Sequence, residues 1–488
     1  MKKILVVGAG TMGSGISMWF AQQNISVQLF DIDQDFLQSS INRCHQLWEK
    51  LLAKGKFSSD DLEMFKCNLQ PLNDLKSADS ETDLVIEAIV EKLKPKVEVF
   101  NTLHEILKGH CIFATNTSGL SVQEIKKSLP LNRQKNFIGL HFFNPATIMK
   151  LVEIVTTVDQ KEIASNLKTF FDKSGKVPVR CQDRPGFICN RIARNFYGEA
   201  FRYAETFNKE IFLSIDHIMR EVGGFRMGPF ELMDLIGIDI NLAATTNVWE
   251  GFECDPRFAP HVIQQEMVKS GKLGNKNGEG FLNKEKLEVS PFTDMAYRTQ
   301  VITCLSEKIN DSTELVIELS TSSIEKKVNF YKVLQSKKVK VISDLSTYSK
   351  ESFELLLKHL DGSIAYKFQN NNKVEVLLKK DDEKILSAIH QSLDITPVAH
   401  IHPHGHIFPR IISMIFNEAK IAEDEKLASS DDLDLAMRFG LNYPQGPLAW
   451  LKSFELNDLK KVLRNLPSYN KLESASRYCL AEVFNEGK

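Results

Sequence analysis

Gly8, Gly10 and Gly13 follow a short apolar, β-branched run, Lys3 to Val7, and precede a helix-like stretch, Ser14 to Gln23. Glycines at this spacing let the backbone turn tightly and approach a pyrophosphate, whose charge then faces a helix N-terminus. Asp31 closes the next strand candidate, Val27 to Phe30, 18 residues after Gly13. A carboxylate at that position accepts hydrogen bonds from ribose hydroxyls and repels a 2′-phosphate, so the expected cofactor is NAD in preference to NADP. A purely structural glycine turn would have no need of this strand, helix and acid together.

The second constellation is His141-Phe142-Phe143-Asn144-Pro145, with Glu153 twelve residues after the histidine. Imidazole titrates near neutrality, and a carboxylate partner fixes its tautomer and stabilises the imidazolium, which suits removal of a proton from a secondary alcohol. The spacing alone also fits a structural pair on neighbouring strands. Its place after a nucleotide fold, where a cleft opens beyond the strand ends, favours the base.

These residues need a scaffold. Further strand candidates are Leu84 to Ala88, Cys111 to Ala114, Phe137 to Leu140 and Leu151 to Val155, with helical patterns between most of them. Alternation of that kind predicts an α/β fold of the Rossmann type, a doubly wound parallel sheet. The charged stretch between Asp31 and Asp83 is longer than a crossover needs and reads as an inserted helical hairpin. From Arg184 the pattern is helical. Residues 298–400 again look α/β, with strands at Leu315 to Ile317 and Val339 to Ile342 but no glycine-rich turn after either.

An internal repeat organises the rest. Arg191-Ile192, Asp216, Glu199-Ala200 and Gly228-Pro229 recur as Arg410-Ile411, Asp434, Glu418-Ala419 and Gly446-Pro447, each 218 or 219 residues later. The expected domains are therefore 1–183, 184–283, 298–400 and 405–488, the last a second copy of the helical domain. His400, His402, His404 and His406 alternate, but without cysteine or carboxylate spacing they read as a solvated loop, and no metal is expected.

Composition excludes several partners. A net charge of −2 with a pI near 6.7 supplies no basic surplus for nucleic acid or an acidic membrane face. The apolar run at the N-terminus is too short for a signal peptide, no stretch has the length of a membrane span, and the eight cysteines form no CxxC pair. They read as reduced, mostly packed thiols in a cytoplasmic protein.

Taken together the motifs resemble the 3-hydroxyacyl-CoA dehydrogenase family. Gly139 to Glu153, GLHFFNPATIMKLVE, is similar to its catalytic signature, Arg184 to Arg191, RPGFICNR, to its domain junction, and Gly228 to Leu232, GPFEL, to its helical domain. The likeness spans residues 1 to about 283, and the doubled helical domain resembles longer bacterial members. It implies NAD-dependent, reversible oxidation of (S)-3-hydroxyacyl-CoA to 3-oxoacyl-CoA in fatty-acid metabolism, on short substrates such as 3-hydroxybutyryl-CoA or 3-hydroxyadipyl-CoA. It also implies His141 as base, Glu153 as its orienting partner, Ser118 on the reacting oxygen, Asn190 on the 3-oxygen, and Asn144 positioning cofactor and loop. Glu91 and Lys96 fall where the family meets the nicotinamide ribose, and Lys276 where it reaches the cofactor from the second domain. From the residues alone these three are solvated charges. Where the family places a basic residue on the CoA nucleotide this chain has Gly55, and Lys54 or Lys56 could substitute. Pro409 stands at the Asn190 position of the second copy, and no HFFNP-like motif lies near residue 360, so that copy is expected to be non-catalytic and to pack on the first as an internal pseudo-dimer. The rival readings are a dehydrogenase of a free 3-hydroxy acid and a silent NAD-binding scaffold.

Overall fold

The computed structural model describes residues 1–157, 160–287, 295–469 and 475–485. Parts of the expected 405–488 copy, 470–474 and 486–488, lie outside the described residues. The chain divides into two units, Met1–Arg191 with Glu425–Leu441, and Ile192–Asp424 with Asn442–Lys488.

The first unit is built on eight strands: β1 (Lys3–Val7), β2 (Ser26–Phe30), β3 (Leu69–Leu72), β4 (Leu84–Glu87), β5 (Ile112–Thr115), β6 (Phe137–Phe142), β7 (Leu151–Thr156) and β8 (Val177–Gln182), in the order β3-β2-β1-β4-β5-β6-β7-β8. The four-residue strands β4 and β5 are buried along almost their whole length, as parallel strands covered on both faces must be. One pairing departs from the parallel expectation. Residues 143–150 are too few for a helical crossover, so β7 returns antiparallel to β6, and β8 then runs parallel to β7 through the helix Lys161–Lys173. That reversal sets His141 directly opposite Glu153. The expected hairpin is present as helices Gln34–Leu52 and Ser59–Asn68. Asp33 caps the first by accepting from Phe36 N, and Ser58 with Asp61 forms a capping box on the second. Trp19, Phe20, Phe142, Phe171 and Trp48 fill the core beneath.

The second unit has six strands: β9 (Thr299–Ile302), β10 (Leu315–Glu318), β11 (Lys340–Asp344), β12 (Gly362–Ile364), β13 (Lys373–Leu378) and β14 (Thr396–His400), in sequential order across the sheet. Every neighbouring pair is parallel except β12 with β13. This reproduces the pattern β1-β4-β5-β6-β7-β8 without the β2 and β3 edge. β4 and β10 even share the sequence Leu-Val-Ile-Glu. Glu87 takes Lys96 Nζ at 2.6 Å and Thr115 Oγ1 at 2.7 Å; Glu318 takes Lys327 Nζ at 2.8 Å and Ser343 Oγ at 2.7 Å, all buried. The repeat therefore extends to the sheet domains. Only twelve residues, 303–314, join β9 to β10, with no glycine and no helix, so the nucleotide loop is absent there.

In the same unit the helix Lys209–Glu221 and the 192–204 part of Cys189–Ala204 meet Ile407–Asp424 of their repeat. Arg410 Nε lies 2.5 Å from Glu199 Oε1, Arg257 pairs with Glu418 at 3.2 Å, and Tyr203 OH donates to Gly405 O at 3.0 Å. Phe225 packs on Tyr443 and Trp450. No helix among the described residues is long and apolar enough to cross a membrane. Of the eight free cysteines four are exposed, Cys67, Cys254, Cys304 and Cys479, more than the mostly packed set expected.

Candidate functional site

The carboxyl ends of β1, β2, β4, β5 and β6 form one edge of the first sheet, the edge at which doubly wound folds bind ligands. Gly8 has φ of 107°, and a Cβ there would sit 2.5 Å from Ala88 O; a Cβ on Gly13 would lie 1.7 Å from Gly8 O. Side chains at these two positions would break the loop. A Cβ on Gly10 would meet nothing within 4 Å, so the space over the start of the helix Thr11–Gln22 is open, and no side chain caps that helix. The open space and uncapped N–H groups fit a diphosphate. A cavity of about 610 Å³ adjoins it, lined by Gly8, Gly10, Asp31, Ile32, Ala88 and Val90 among others. Asp31 Oδ2 accepts from Ala9 N at 2.7 Å and Oδ1 from Asp33 N at 3.1 Å, which fixes the carboxylate at the cavity wall with lone pairs to spare.

His141 lies within β6, one residue before its end, rather than following the strand, and only 7% of it is exposed. Its Nδ1 lies 2.6 Å from Glu153 Oε2, and Glu153, fully buried, takes Ile188 N at 3.1 Å and Cys189 N at 3.0 Å on its other oxygen. Glu153 thus holds the histidine with one oxygen and the start of the helix Cys189–Ala204 with the other. The rings of Phe143 and Phe187 flank the imidazole at 4.6 and 5.7 Å. His141 Nε2 makes no hydrogen bond among the described residues. An imidazole held at Nδ1 by a buried carboxylate, with Nε2 available, can take a proton and stabilise the resulting charge.

Glu91 gathers the loop after β5. Its Oε1 accepts from Thr117 Oγ1 at 2.6 Å, Ser118 N at 2.9 Å and Gly119 N at 3.1 Å. Burial works to raise its pKa, but Lys96, 3.1 Å away, and these hydrogen bonds hold it below the usual carboxylate value. Asn190 Nδ2 donates to Ser118 O at 3.3 Å, so Glu91, Ser118 and Asn190 come together. Lys96 is not a solvated charge: it is 1% exposed and bound to Glu87 and Glu91. Asn144 is exposed, as are Lys54 and Lys56, which flank Gly55 between the hairpin helices. Lys276, in the second unit, is ion-paired to Asp239 at 2.7 Å. Two positioning groups escaped the sequence reading. Asn116 Oδ1 accepts from Phe142 N at 2.9 Å, and the Glu87–Lys96 pair anchors the strand end; the only signal for the pair was a charge at each end of a nine-residue interval.

The alternating histidines are not a solvated loop, because β14 carries His400 into the interior. His400 and His406 are 5% and 6% exposed, and with Glu375 they bring one possible ligand atom each within 4.8 Å of one another. Glu375 takes His400 Nε2 at 2.8 Å, Ile407 N at 2.6 Å and Phe408 N at 2.8 Å, so its oxygens are already engaged. Burial would raise its pKa, but the two histidines bring it down to about 2. Glu375 holds the start of the helix Ile407–Asp424 as Glu153 holds that of Cys189–Ala204. The residue facing Glu375 across the strand pair is Ala365, whose N donates to Glu375 O.

Residues 3–184 match the model of the 3-hydroxyacyl-CoA dehydrogenase NAD binding domain, and residues 186–284 and 405–488 that of the 3-hydroxyacyl-CoA dehydrogenase C-terminal domain. The chain is 34% identical over 478 residues, 96% of its length and 94% of the relative's, to 3-hydroxyadipyl-CoA dehydrogenase of Escherichia coli (strain K12). It is 38% identical over 291 residues, 58% of its length and 90% of the relative's, to mitochondrial hydroxyacyl-coenzyme A dehydrogenase of Sus scrofa. The crystal structure of 3-hydroxybutyryl-CoA dehydrogenase from Escherichia coli K12 superposes with a TM-score of 0.80 at 30% identity, over 99% of this chain and 98% of that one.

Proposed function

This chain belongs to the 3-hydroxyacyl-CoA dehydrogenase family, and from that premise we propose that His141 is the base of an NAD-dependent oxidation of short-chain 3-hydroxyacyl-CoA to 3-oxoacyl-CoA. The observation that carries the proposal is the 2.6 Å pair of His141 with buried Glu153 at the sheet edge where the nucleotide cavity opens. NAD, held by the glycine loop and Asp31, would supply the hydride acceptor for C3. His141 takes the hydroxyl proton at Nε2, Glu153 stabilises the imidazolium, and Ser118 with Asn190 orients the 3-oxygen. The glycine loop and Asp31 hold the cofactor, with Glu91 as ribose ligand and Lys96 as its fixed counter-charge. Asn144 completes the cofactor contacts of the first unit, and Lys54 or Lys56 meets the CoA phosphates.

Relatives named for 3-hydroxyadipyl-CoA and 3-hydroxybutyryl-CoA support a short acyl chain. Turnover is expected with both thioesters, falling along a series of longer 3-hydroxyacyl-CoA substrates, and not with free 3-hydroxybutyrate. Equal rates on the free acid would overturn the thioester reading. Asp31→Arg should move the NADP/NAD ratio of kcat/KM upward by about tenfold or more, the worth of a charge-assisted hydrogen bond. An unchanged ratio would remove Asp31 as the ribose ligand. The second helical copy we read as an internal pseudo-dimer partner, supported by Arg410–Glu199 and Arg257–Glu418. A cytoplasmic location suits the free cysteines.

A further inference from the structure

By sequence the helix Ser430–Leu441 belongs to the second copy of the repeat, where Asp434 answers Asp216 on the helix Lys209–Glu221. By packing, Glu425–Leu441 belongs to the first unit. It lies on β7 and β8. Gln182 N donates to Leu427 O at 2.8 Å, Arg191 pairs with Glu425 at 2.7 Å, and Cys189 Sγ donates to Ala436 O at 3.3 Å.

At Gly440 the packing leaves no room for a side chain. A Cβ there would stand 2.5 Å from Leu151 Cδ2, 2.8 Å from Cys189 Sγ and 3.5 Å from Phe143 Cε1. Each of these neighbours is one step from the proposed base. The backbone N–H of Cys189 donates to Glu153, the ring of Phe143 packs on His141, and Leu151 opens the strand that carries Glu153. The same arrangement recurs in the second unit, where the helix Lys209–Glu221 lies on β14, Glu221 pairs with Lys373 at 2.6 Å, and Val222 O accepts from Asn370. Each half of the repeat covers the outer strands of the other half's sheet.

We propose that the 430–441 helix is the rear wall of the His141–Glu153 pair and that Gly440 is a positioning residue for the reaction. The catalytic unit is then discontinuous in sequence, and the second copy contributes to chemistry as well as to support. The pressure of a side chain at 440 falls on flexible ends, Leu151 Cδ2 and Cys189 Sγ, so it displaces Cys189 and through it the Glu153 carboxylate without breaking the backbone. A displacement of the order of 1 Å at a reacting group costs about 10²-fold in rate.

This inference rests on His141 acting as the base, so the experiment carries both tests in the full-length chain. Gly440→Val should lower kcat for 3-hydroxybutyryl-CoA by about 10²-fold with KM for NAD and for the thioester little changed. It should also displace the kcat–pH profile, and shift the downfield proton resonance of the His141–Glu153 hydrogen bond. Adding Cys189→Ala, which deletes the crowded sulfur and keeps the N–H, should restore much of the rate. If Gly440→Val does not fold, Gly440→Ala, with a single added carbon, should show the same effects at smaller size. A folded Gly440 variant with unchanged kcat, pH profile and proton resonance, beside an inactive His141→Gln, overturns the rear-wall proposal alone. An active His141→Gln overturns the reading beneath it.

Discussion

His141→Gln is expected to yield a folded protein that binds NADH and has lost 10²- to 10⁴-fold of kcat, the usual worth of general-base catalysis. Folding should survive because a glutamine amide can still donate to Glu153 Oε2, so the buried carboxylate keeps a partner there and keeps the N–H groups of Ile188 and Cys189 on its other oxygen. Proton transfer does not survive, since the amide has no basic lone pair at neutral pH. Glu153→Gln should lose rate on a similar scale, because an amide in place of the carboxylate cannot stabilise the imidazolium and has one acceptor where three donors converge. The double variant should be little worse than His141→Gln, since the two groups act as one. Steady-state kcat with 3-hydroxybutyryl-CoA and NAD, beside NADH titration by fluorescence, decides the matter. A near-normal kcat removes His141 from the mechanism.

Arg410→Met is expected to cost about 3–5 kcal/mol of stability, the loss found when one member of a buried ion pair is removed. Glu199 is fully buried, and its Oε1 takes Arg410 Nε at 2.5 Å while the rings of Tyr203 and Tyr469 cover the guanidinium at 5.5 Å each. Methionine matches the aliphatic stem but leaves the Glu199 carboxylate without its counter-charge. Combining Arg410→Met with Glu199→Leu removes both charges, and should recover most of the loss. Urea unfolding of the three variants measures this; a single variant within about 0.5 kcal/mol of the parent, the range of ordinary surface changes, would show that the pair does not hold the two helical copies together.

The nucleotide loop was legible because its signal is local: a strand, three glycines, a helix and an acid at fixed offsets. The His141 motif was legible for the same reason. What the residues alone did not reveal was direction and company. The antiparallel return of β7 depends on how few residues follow Phe142, and Lys96 reads as a surface charge until β4 places Glu87 beneath it. His400 and His406 sit in an alternating polar run that only the pairing of β14 with β13 turns inward. The Asp434 offset places the 430–441 segment in a repeat, but no periodicity in its own sequence tells which sheet it will cover.

Glu375 and Glu153 both receive the first N–H groups of a helix and both pair with a histidine, but Ala365 rather than a histidine faces Glu375 across the strands, and its partner His400 comes from β14 instead. The molecule therefore contains its own internal standard. The structural duty of such a carboxylate, toward a helix start and a paired histidine together, can be weighed at Glu375, where no reaction is proposed, and subtracted from the effect of the matching change at Glu153. The remainder is the part of that residue's importance that belongs to chemistry.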